Sequence, residues 1–573
     1  MTAGGTRATT GDRASSKEAT TIVKADLLIV GGRVVDGTGN PWFYGDVAIA
    51  DGRVARVAPA GVIDRADADE VVDAEGHVVC PGFIDIQSHS IIPFLTDRRS
   101  LSKVTQGVTT EILGESWTPA PFGGAIDEPF SEGSRGSIGE TFDEWQARAR
   151  GWTRFGDWLA DLEARGVSVN VGSFIGGGTV REYAMGERMG EPSTDELATM
   201  TRVVAEAMTD GAFGVATALI YPPGAYAGTD ELVAICAVIA AYQGVHITHI
   251  RSEGDAIFEG LDEAIAIAER SGVATEIYHL KAAGRPNWPK MPEVIARIDA
   301  ARASGLDIGA DMYPYDGSGT GLAACLPPWA SADGKRHENL KDPEMRARIL
   351  AEMREPSEHW ENLGARSGPE NVILAGFEHP DLKRFQGMRL AAVADELGMD
   401  WHEAILLLLD TEGHDIFTMY LAMSEENLHL QFRQPWIKFG TDAGGVDPVW
   451  ATRRGLIHPR AYGSYPRILG RYVREQGVLP LEDAVRKASS AVADRLGLRD
   501  RGLLRDGMRA DVVVFDPETV SDRATYTDPH HLSVGIRDML VNGVAVLRDG
   551  EHTGAMPGRR VHGPGYGRVV AVD

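Results

Sequence analysis

Both ends of the chain carry short apolar runs that alternate with polar residues and end in glycine turns. From about residue 22 the runs are ADLLIVGGRVVDG, GDVAIADGRVARVAP and HVVCPG, with Gly-Gly and Asp-Gly turns. The same texture returns near the other end in ADVVVFDPE and GIRDMLVNGVAVLRDGEHTG. Such runs and turns are typical of β-hairpins. We therefore predict one small β-sandwich domain built from residues 22–80 and 499–573.

The middle of the chain, residues 81–498, alternates short apolar runs with helical segments such as FEGLDEAIAIAERSG. This alternation is typical of parallel βα units. The predicted strands are GFIDIQSH, VTTEILGE, VSVNVGSFIGG, AFGVATAL, VHITHIR, ATEIYHLK, DIGADMYPY and WIKFGTDA. Eight such units predict an α/β fold of the (β/α)8 TIM-barrel type. About 120 residues separate the last two strands, too many for one crossover, so we predict an insertion at about residues 325–430.

The charge and hydropathy of the chain argue against nucleic acids and membranes as partners. The formal net charge is −26, and an acidic surface repels phosphate backbones, so nucleic acid is not an expected partner. No apolar run reaches the roughly 18 residues that a membrane span needs, so a membrane is not an expected partner either. Residues 1–21 lack the apolar core of a secretory signal and predict a disordered tail on a cytoplasmic protein.

Side chains able to bind a metal follow many of the predicted strands. In a barrel of this type the active site forms at the carboxyl ends of the strands. The polar residues at these ends are Gln87 and His89, Glu115, His249 and Arg251, His279 and Lys281, Tyr313, and Asp442. Two imidazoles with a carboxylate match the donors that zinc prefers and leave one position for water. The pattern predicts a site for a divalent metal, with zinc as the expected ion.

Several motifs resemble those of the amidohydrolase superfamily. They are GFIDIQSHS, QGVTTEILGE, THIRSEG, YHLKAAG, TDAGG, HPRAYGSYPR, DMYPYDGSG and RGLLRDGMRADVVVFDPE. Over residues 24–563 the chain resembles one branch of that superfamily, the D-aminoacylases or N-acyl-D-amino-acid deacylases. The resemblance implies a metal-dependent hydrolase that removes the acyl group from N-acyl-D-amino acids. Its partner would be a small amide substrate that carries a carboxylate.

The resemblance also implies roles for single residues. His249 and His279 match the two histidine metal ligands, and His89 matches the second histidine of a His-x-His pair on the first strand. Asp442 matches the catalytic aspartate, and Tyr221 matches a tyrosine that polarises the scissile carbonyl. The residues expected to hold the substrate, chiefly through its carboxylate, are Lys281, Tyr313, Arg460 and Arg251.

The sequence departs from the family pattern at three positions. Gln87 stands where the first histidine of the pair is expected, and an amide oxygen is a poorer zinc donor than imidazole. Ser116 replaces a metal-binding cysteine, and the neighbouring Glu115 can supply the anionic ligand instead. Gly319 replaces a serine that would help hold the carboxylate. We therefore predict one tight metal bound by Glu115 and the two histidines, and a weak or empty second site at Gln87 and His89.

Two other functions stay open at this point. Gly319 and the altered metal ligands also suit a hydrolase of cyclic amides, similar to dihydroorotases and hydantoinases, or a hydrolase of another amide. Gln87 and Ser116 leave open a barrel that binds a small molecule without catalysis, although Asp442 argues against it. Hydrolysis rates on N-acetyl-D-amino acids and on a dihydropyrimidine would distinguish a deacylase from a hydrolase of cyclic amides. The oligomeric state is also left open.

Overall fold

A computed structural model describes residues 24–355, 360–453 and 455–570. The predicted tail, residues 1–21, lies outside this range. The described strands are β1 (Ala25–Val34), β2 (Phe43–Ala50), β3 (Arg53–Pro59), β4 (Ala68–Asp73), β5 (Val78–Pro81), β6 (Phe83–Asp85), β7 (Val108–Leu113), β8 (Asn170–Ser173), β9 (Ile175–Gly176), β10 (Gly214–Ala218), β11 (Val245–His249), β12 (Ala274–Ile277), β13 (Ile308–Met312), β14 (Ser318–Gly321), β15 (Val372–Leu374), β16 (Phe417–Tyr420), β17 (Ile437–Phe439), β18 (Val512–Phe515), β19 (Ile536–Val541), β20 (Val544–Arg548) and β21 (Glu551–His552).

The described helices lie between these strands, with two short ones before β7 and the last ones before β18. They are α1 (Ile91–Thr96), α2 (Leu101–Val104), α3 (Arg135–Ile138), α4 (Phe142–Ala149), α5 (Phe155–Arg165), α6 (Gly177–Met185), α7 (Thr194–Asp210), α8 (Thr229–Ala241), α9 (Ile257–Ser271), α10 (Met291–Ala303), α11 (Arg336–Lys341), α12 (Pro343–Arg354), α13 (Leu363–Ser367), α14 (Leu390–Leu397), α15 (Trp401–Glu412), α16 (Glu425–Phe432), α17 (Pro448–Ala451), α18 (Arg460–Arg467), α19 (Leu481–Ala488) and α20 (Ser490–Leu496).

The strands from the two chain ends form one hydrogen-bonded sheet. Its order is β21-β20-β19-β18-β5-β1-β2-β3, and β4 pairs with β1. The link between the two ends is the antiparallel pairing of β5 with β18. Apolar side chains from both ends, such as Leu27, Ile29 and Val512, pack into one buried cluster. The expectation that both ends build one sheet unit agrees with these pairings, while its folding into a sandwich and its exact bounds stay predictions.

Parallel strands form the centre of the molecule, and each of the eight predicted strand segments contains one. The pairings run β6-β7-β8 in one sheet and β9-β10-β11-β12-β13-β17 in another. Only Phe174 separates β8 from β9. At the other end, a parallel bridge joins Ser88 to Ala443, and the Asp442 amide donates to the Gln87 carbonyl at 2.9 Å. The last strand therefore lies beside the continuation of the first.

The hydrophobic pattern accounts for how these strands and helices pack. Every residue of β10 and β11 is buried, as expected for strands that are covered on both faces. Helix α9 buries Leu261, Ala264 and Ala268, spaced three and four residues apart, and so presents one apolar face to the strands. The helices thus hold the strands in a fixed array whose carboxyl ends share one edge.

The segment between β13 and β17 forms a separate unit. Strands β14, β16 and β15 pair antiparallel in a three-stranded sheet. Residues such as Leu374, Leu406 and Tyr420 form a buried cluster of their own with helices α12, α14 and α15. Because β14 pairs with β16, this unit reaches back to Ser318, ahead of the predicted start near residue 325. Within the described ranges, every helix is too short or too polar to cross a bilayer.

Candidate active site

Polar side chains from five parallel strands meet at the carboxyl edge of the array. Glu115 follows β7, His249 ends β11, His279 follows β12, and Asp442 follows β17. Together with His89, which follows β6, they line a cavity of about 540 Å³. The cavity lies between these strand ends and the inserted unit, which contributes Ser318, Gly319, Thr320, Leu363, Arg366, Phe417 and Tyr420. The strand ends thus supply the ionisable groups and the insertion covers them.

Glu115, His249 and His279 form a compact group of metal-type donors. Glu115 Oε1 lies 3.6 Å from His249 Nδ1 and 3.7 Å from His279 Nε2. Ligands of a tetrahedral zinc site with bonds near 2.0–2.1 Å lie about 3.4 Å apart. Both ring nitrogens of His249 are buried and make no hydrogen bond of good geometry among the described residues, which is costly unless another group satisfies them. The donor set, its spacing and this orphaned imidazole all fit a zinc ion.

The backbone is strained where it presents these groups. Ser116, His279 and Asp442 have φ angles of 60°, 33° and 51°, in the left-handed region that non-glycine residues rarely adopt. The surroundings hold this conformation: the His279 amide donates to Asp311 Oδ1 at 2.9 Å. Strain of this kind persists only where the neighbouring structure enforces it, and it concentrates at functional sites.

His89 and Gln87, predicted to form a second metal site, are placed differently from each other. His89 Nε2 lies 2.8 Å from Asp442 Oδ1 and 3.4 Å from Glu115 Oε2, within a second group of metal-type donors. Gln87 instead donates its side-chain N–H to Glu115 Oε2 at 2.6 Å. Gln87 therefore donates a hydrogen bond to the predicted ligand Glu115. This contact differs from the metal-binding role expected for Gln87.

The charges at the site shift one another's ionisation. Burial disfavours the charged form of Glu115, but His249, His279 and His89 outweigh it and hold the pKa of the carboxyl well below its usual range. The His89 side chain is 43% exposed, and its hydrogen bonds to Asp442 and Glu115 raise its pKa to about 10. For Asp442, burial is outweighed mainly by the positive charge of Arg460, which lowers the pKa to about 2.

Glu253 belongs to the site although the sequence analysis missed it. Its Oε1 lies 3.0 Å from His279 Nδ1, and its Oε2 lies 3.4 Å from His249 Nε2. One carboxylate thus faces both imidazoles on the side away from Glu115. Carboxylates in this position fix the ring orientation of histidine ligands and raise their basicity. The available signal was the THIRSEG motif, in which Glu253 follows His249 by four residues.

The residues expected to hold a substrate carboxylate are near the site but already have partners. Arg460 Nη1 lies 2.6 Å from Asp442 Oδ2, and its guanidinium stacks 4.7 Å from the centre of the Tyr313 ring. Lys281 Nζ lies 2.6 Å from Glu253 Oε1. Lys281, Tyr313 and Arg460 all line the cavity. A substrate carboxylate would therefore contact cations whose positive charges are partly neutralised by Asp442 and Glu253.

Tyr221 lies in the cavity, whereas Arg251 does not. The Tyr221 ring stands edge-on to His249 with 5.4 Å between ring centres, and burial raises the pKa of its hydroxyl, which remains a proton donor. Arg251 donates to Glu263 and to the carbonyls of Ala225 and Ala227, and it is not among the residues that line this cavity. The structure places Arg251 on the wall of an adjoining cavity and not beside the residues expected to hold the carboxylate.

The glycine at position 319 has a steric reason. A Cβ atom there would lie 2.8 Å from the Phe417 ring, which is closer than side chains tolerate. The carbonyl oxygen of Gly319 accepts a hydrogen bond from Arg460 Nη2 at 3.2 Å. The missing serine hydroxyl is thus replaced by an aromatic ring that lines the cavity, and Gly319 still takes part through its backbone.

Imidazoles and carboxylates that meet at the carboxyl ends of parallel strands are typical of metal-dependent hydrolases. Residues 70–356 and 432–547 match the model of the amidohydrolase family, and the chain belongs to that family. The family expected from the motifs is thereby confirmed.

Two curated relatives and one solved structure are similar over nearly the whole chain. The N-acyl-D-glutamate deacylase of Alcaligenes xylosoxydans xylosoxydans is 35% identical over 91% of this chain and 94% of its own length. The D-aminoacylase of the same organism is 32% identical, with 93% and 97% covered. The structure of an N-acyl-D-glutamate deacylase from Bordetella bronchiseptica, complexed with zinc and a phosphonate mimic of the tetrahedral intermediate, has a TM-score of 0.77 at 31% identity, with 94% and 100% covered.

Proposed function

We propose that this protein is a metal-dependent hydrolase that removes the acyl group from N-acyl-D-amino acids. The main support is that one cavity contains the Glu115–His249–His279 group together with Asp442 and Arg460. The deacylases similar to this chain over more than nine-tenths of its length support this substrate class. We further infer that the eight parallel strands close into a (β/α)8 barrel, because the last strand returns to the first.

We propose zinc as the cofactor, held by Glu115, His249 and His279. A bound zinc ion would supply an acidified water, with a pKa lowered from 15.7 to about 7. Asp442 lies beside this group and would take the proton of the attacking water and pass it to the departing nitrogen. The Tyr221 hydroxyl would donate a hydrogen bond to the carbonyl oxygen as negative charge develops there.

Three residues would orient the amino-acid end of the substrate. Arg460 and Lys281 carry the positive charges at this end of the cavity, and Tyr313 stacks on the Arg460 guanidinium. Arg460 can accept a carboxylate through two parallel hydrogen bonds. Holding the carboxylate there places the amide over Asp442, and such positioning lowers the barrier of the reaction.

The test is a substrate panel combined with metal analysis of the purified protein. We expect hydrolysis of N-acetyl-D-amino acids with one tightly held equivalent of zinc, and lower rates on the L-enantiomers. A dihydropyrimidine is the control for cyclic amides. Faster opening of that ring than hydrolysis of every N-acetyl-D-amino acid would overturn the proposal, as would full activity without metal.

A further inference from the structure

A second cavity, of about 710 Å³, adjoins the active site. Ile220, Tyr221, Thr320 and Leu363 line both cavities and so form the boundary between them. Tyr221 is the residue proposed to hold the carbonyl of the scissile amide. The second cavity therefore begins at the point where that carbonyl would lie.

The strand β14 and the turn after it give the direction in which the second cavity extends. Gly319 lines the first cavity and contacts Arg460, Thr320 lines both, and Ala324 lines the second alone. Strand β14 ends at Gly321 and Ala324 lies in the short 3-10 helix that follows, so the lining passes from the first cavity to the second along this one segment. A substrate whose carboxylate lies at Arg460 and whose carbonyl lies at Tyr221 would point its acyl substituent into the second cavity.

Part of the wall of the second cavity is apolar. Leu219, Pro222 and Pro223 come from the segment after β10, and Leu326, Pro327 and Pro328 come from the inserted unit. Among the charged residues of the lining, Arg336 lies 3.7 Å from Asp415 and Arg251 pairs with Glu263 at 2.9 Å, while Glu182 and Glu187 add negative charge to another part of the wall. An acetyl group would leave this space unfilled, whereas an aliphatic or aryl chain would remove the apolar wall from water.

We infer that the second cavity is the acyl subsite of the enzyme, and that the preferred substrates carry an apolar acyl group larger than acetyl. This inference rests on the proposed deacylase function and adds the acyl class to it. One additional methylene in a hydrophobic pocket typically changes kcat/KM by about 10-fold or more. Four additional methylenes should therefore give at least that gain.

The experiment compares N-acetyl, N-hexanoyl and N-phenylacetyl derivatives of the D-amino acid that is the best N-acetyl substrate. In the unmodified protein, we expect the hexanoyl and phenylacetyl compounds to exceed the acetyl compound at least about 10-fold in kcat/KM. Ala324→Phe places a ring in the second cavity and should abolish this preference, measured as the ratio of kcat/KM between the larger acyl compounds and the acetyl compound. Ala324→Ser is the matched control and should keep the preference.

The outcomes separate the inference from the function on which it rests. If neither the N-acetyl nor the N-hexanoyl nor the N-phenylacetyl derivative of any D-amino acid tested is hydrolysed, the proposed function fails. If the acetyl compound is hydrolysed and the larger acyl groups give no gain, the acyl subsite is overturned while the function stands. Ser331→Phe, on another segment of the same cavity, provides a second variant in case Ala324→Phe does not fold. If either phenylalanine variant changes the preference among amino-acid side chains and leaves the preference among acyl groups unchanged, the inference is also overturned.

Discussion

Asp442 shows how a single residue is prepared for its proposed role. One carboxylate oxygen lies 2.8 Å from His89 and the other 2.6 Å from Arg460, and the residue is 7% exposed. Both partners favour the ionised carboxylate, so Asp442 is held as a base and not as an acid. The orientation of its oxygens is fixed by contacts from two other segments of the chain.

Replacing Asp442 by Asn should keep the shape of the residue and remove the base. We expect a fall in kcat of about 100-fold or more, the size typical of losing general-base catalysis. Steady-state kinetics measure the rate, and metal analysis should show zinc content like that of the unmodified protein. Unchanged kcat in this variant would exclude Asp442 from proton transfer.

Arg460→Met tests whether the cavity reads a carboxylate. Losing one partner of a desolvated charge pair costs about 2–5 kcal/mol, so kcat/KM on an N-acyl-D-amino acid should fall roughly 30-fold or more. The matching substrate with a neutral amide in place of the carboxylate should show a much smaller fall. Equal losses on both substrates would mean that Arg460 acts through Asp442 and Gly319, and not by binding the substrate.

Glu253→Gln tests the carboxylate behind the two histidines. Removing such a partner typically weakens metal binding 10–100-fold, and we expect a loss of about that size here. Competition with a chelator measures the affinity independently of activity. Glu259→Gln, an exposed substitution on α9, is the control. Zinc affinity equal to that of the unmodified protein would contradict the positioning role.

At the scale of elements, a buried ion pair fastens the first parallel strand to the last. Lys103 Nζ lies 2.6 Å from Asp85 Oδ2, and both side chains are fully buried. The lysine also donates to the Ala443 carbonyl at 2.7 Å, next to Asp442. Asp85 accepts from the Thr441 amide at 2.9 Å. This network holds the turn that presents Asp442 at the carboxyl end of β17.

Lys103→Met should destabilise the fold because Asp85 loses its buried counter-charge. Breaking a buried pair in this way typically costs about 3–5 kcal/mol of unfolding free energy. The matched control is Lys24→Met, whose partner Asp69 lies 3.4 Å away with both side chains mostly exposed, and which should cost about 1 kcal/mol or less. Denaturant unfolding measures both. Similar losses in the two variants would show that the pair does not fasten the strands.

At the scale of the whole molecule, the candidate metal ligands come from distant parts of one fold. Glu115 and His279 follow strands separated by three intervening parallel strand segments, and residues of the sheet from both chain ends share one buried apolar cluster with the parallel strands. Asn170 of β8 donates to Asp511, which also binds Arg501 within the C-terminal segment. The chain ends and the parallel strands are therefore joined by buried polar contacts, and the ligand group exists only in the folded protein.

Removing zinc should lower the thermal stability of the whole molecule. A ligand that binds only the folded state at 1,000 times its dissociation constant stabilises it by about 4 kcal/mol. We expect chelation to lower Tm by several degrees and zinc to restore it. His249→Ala should show neither change, because one of the three ligands is gone. An equal zinc-dependent shift in that variant would overturn the proposed ligand set.

The order of strands and the candidate ligands followed from the sequence by itself. Alternating apolar runs specify β10, β11 and their neighbours, because buried parallel strands must be apolar on both faces. Glu115, His249 and His279 could be found for the same reason: residues just after parallel strands meet at one edge. The metal roles assigned to them remain predictions, but their meeting in space did not depend on any detail of packing.

Tertiary structure alone decided what each side chain touches. Gln87 donates a hydrogen bond to Glu115, and Arg251 pairs with Glu263 outside the cavity that holds the metal-type donors. Glu253 lies beside both histidines. Strand periodicity fixes which face a residue lies on, but loop conformation and competition among buried charges choose its partner. Those choices depend on residues more than a hundred positions apart, such as Arg460 beside Gly319 and Lys103 beside Ala443. The second cavity likewise exists only because the inserted unit folds against the strand ends.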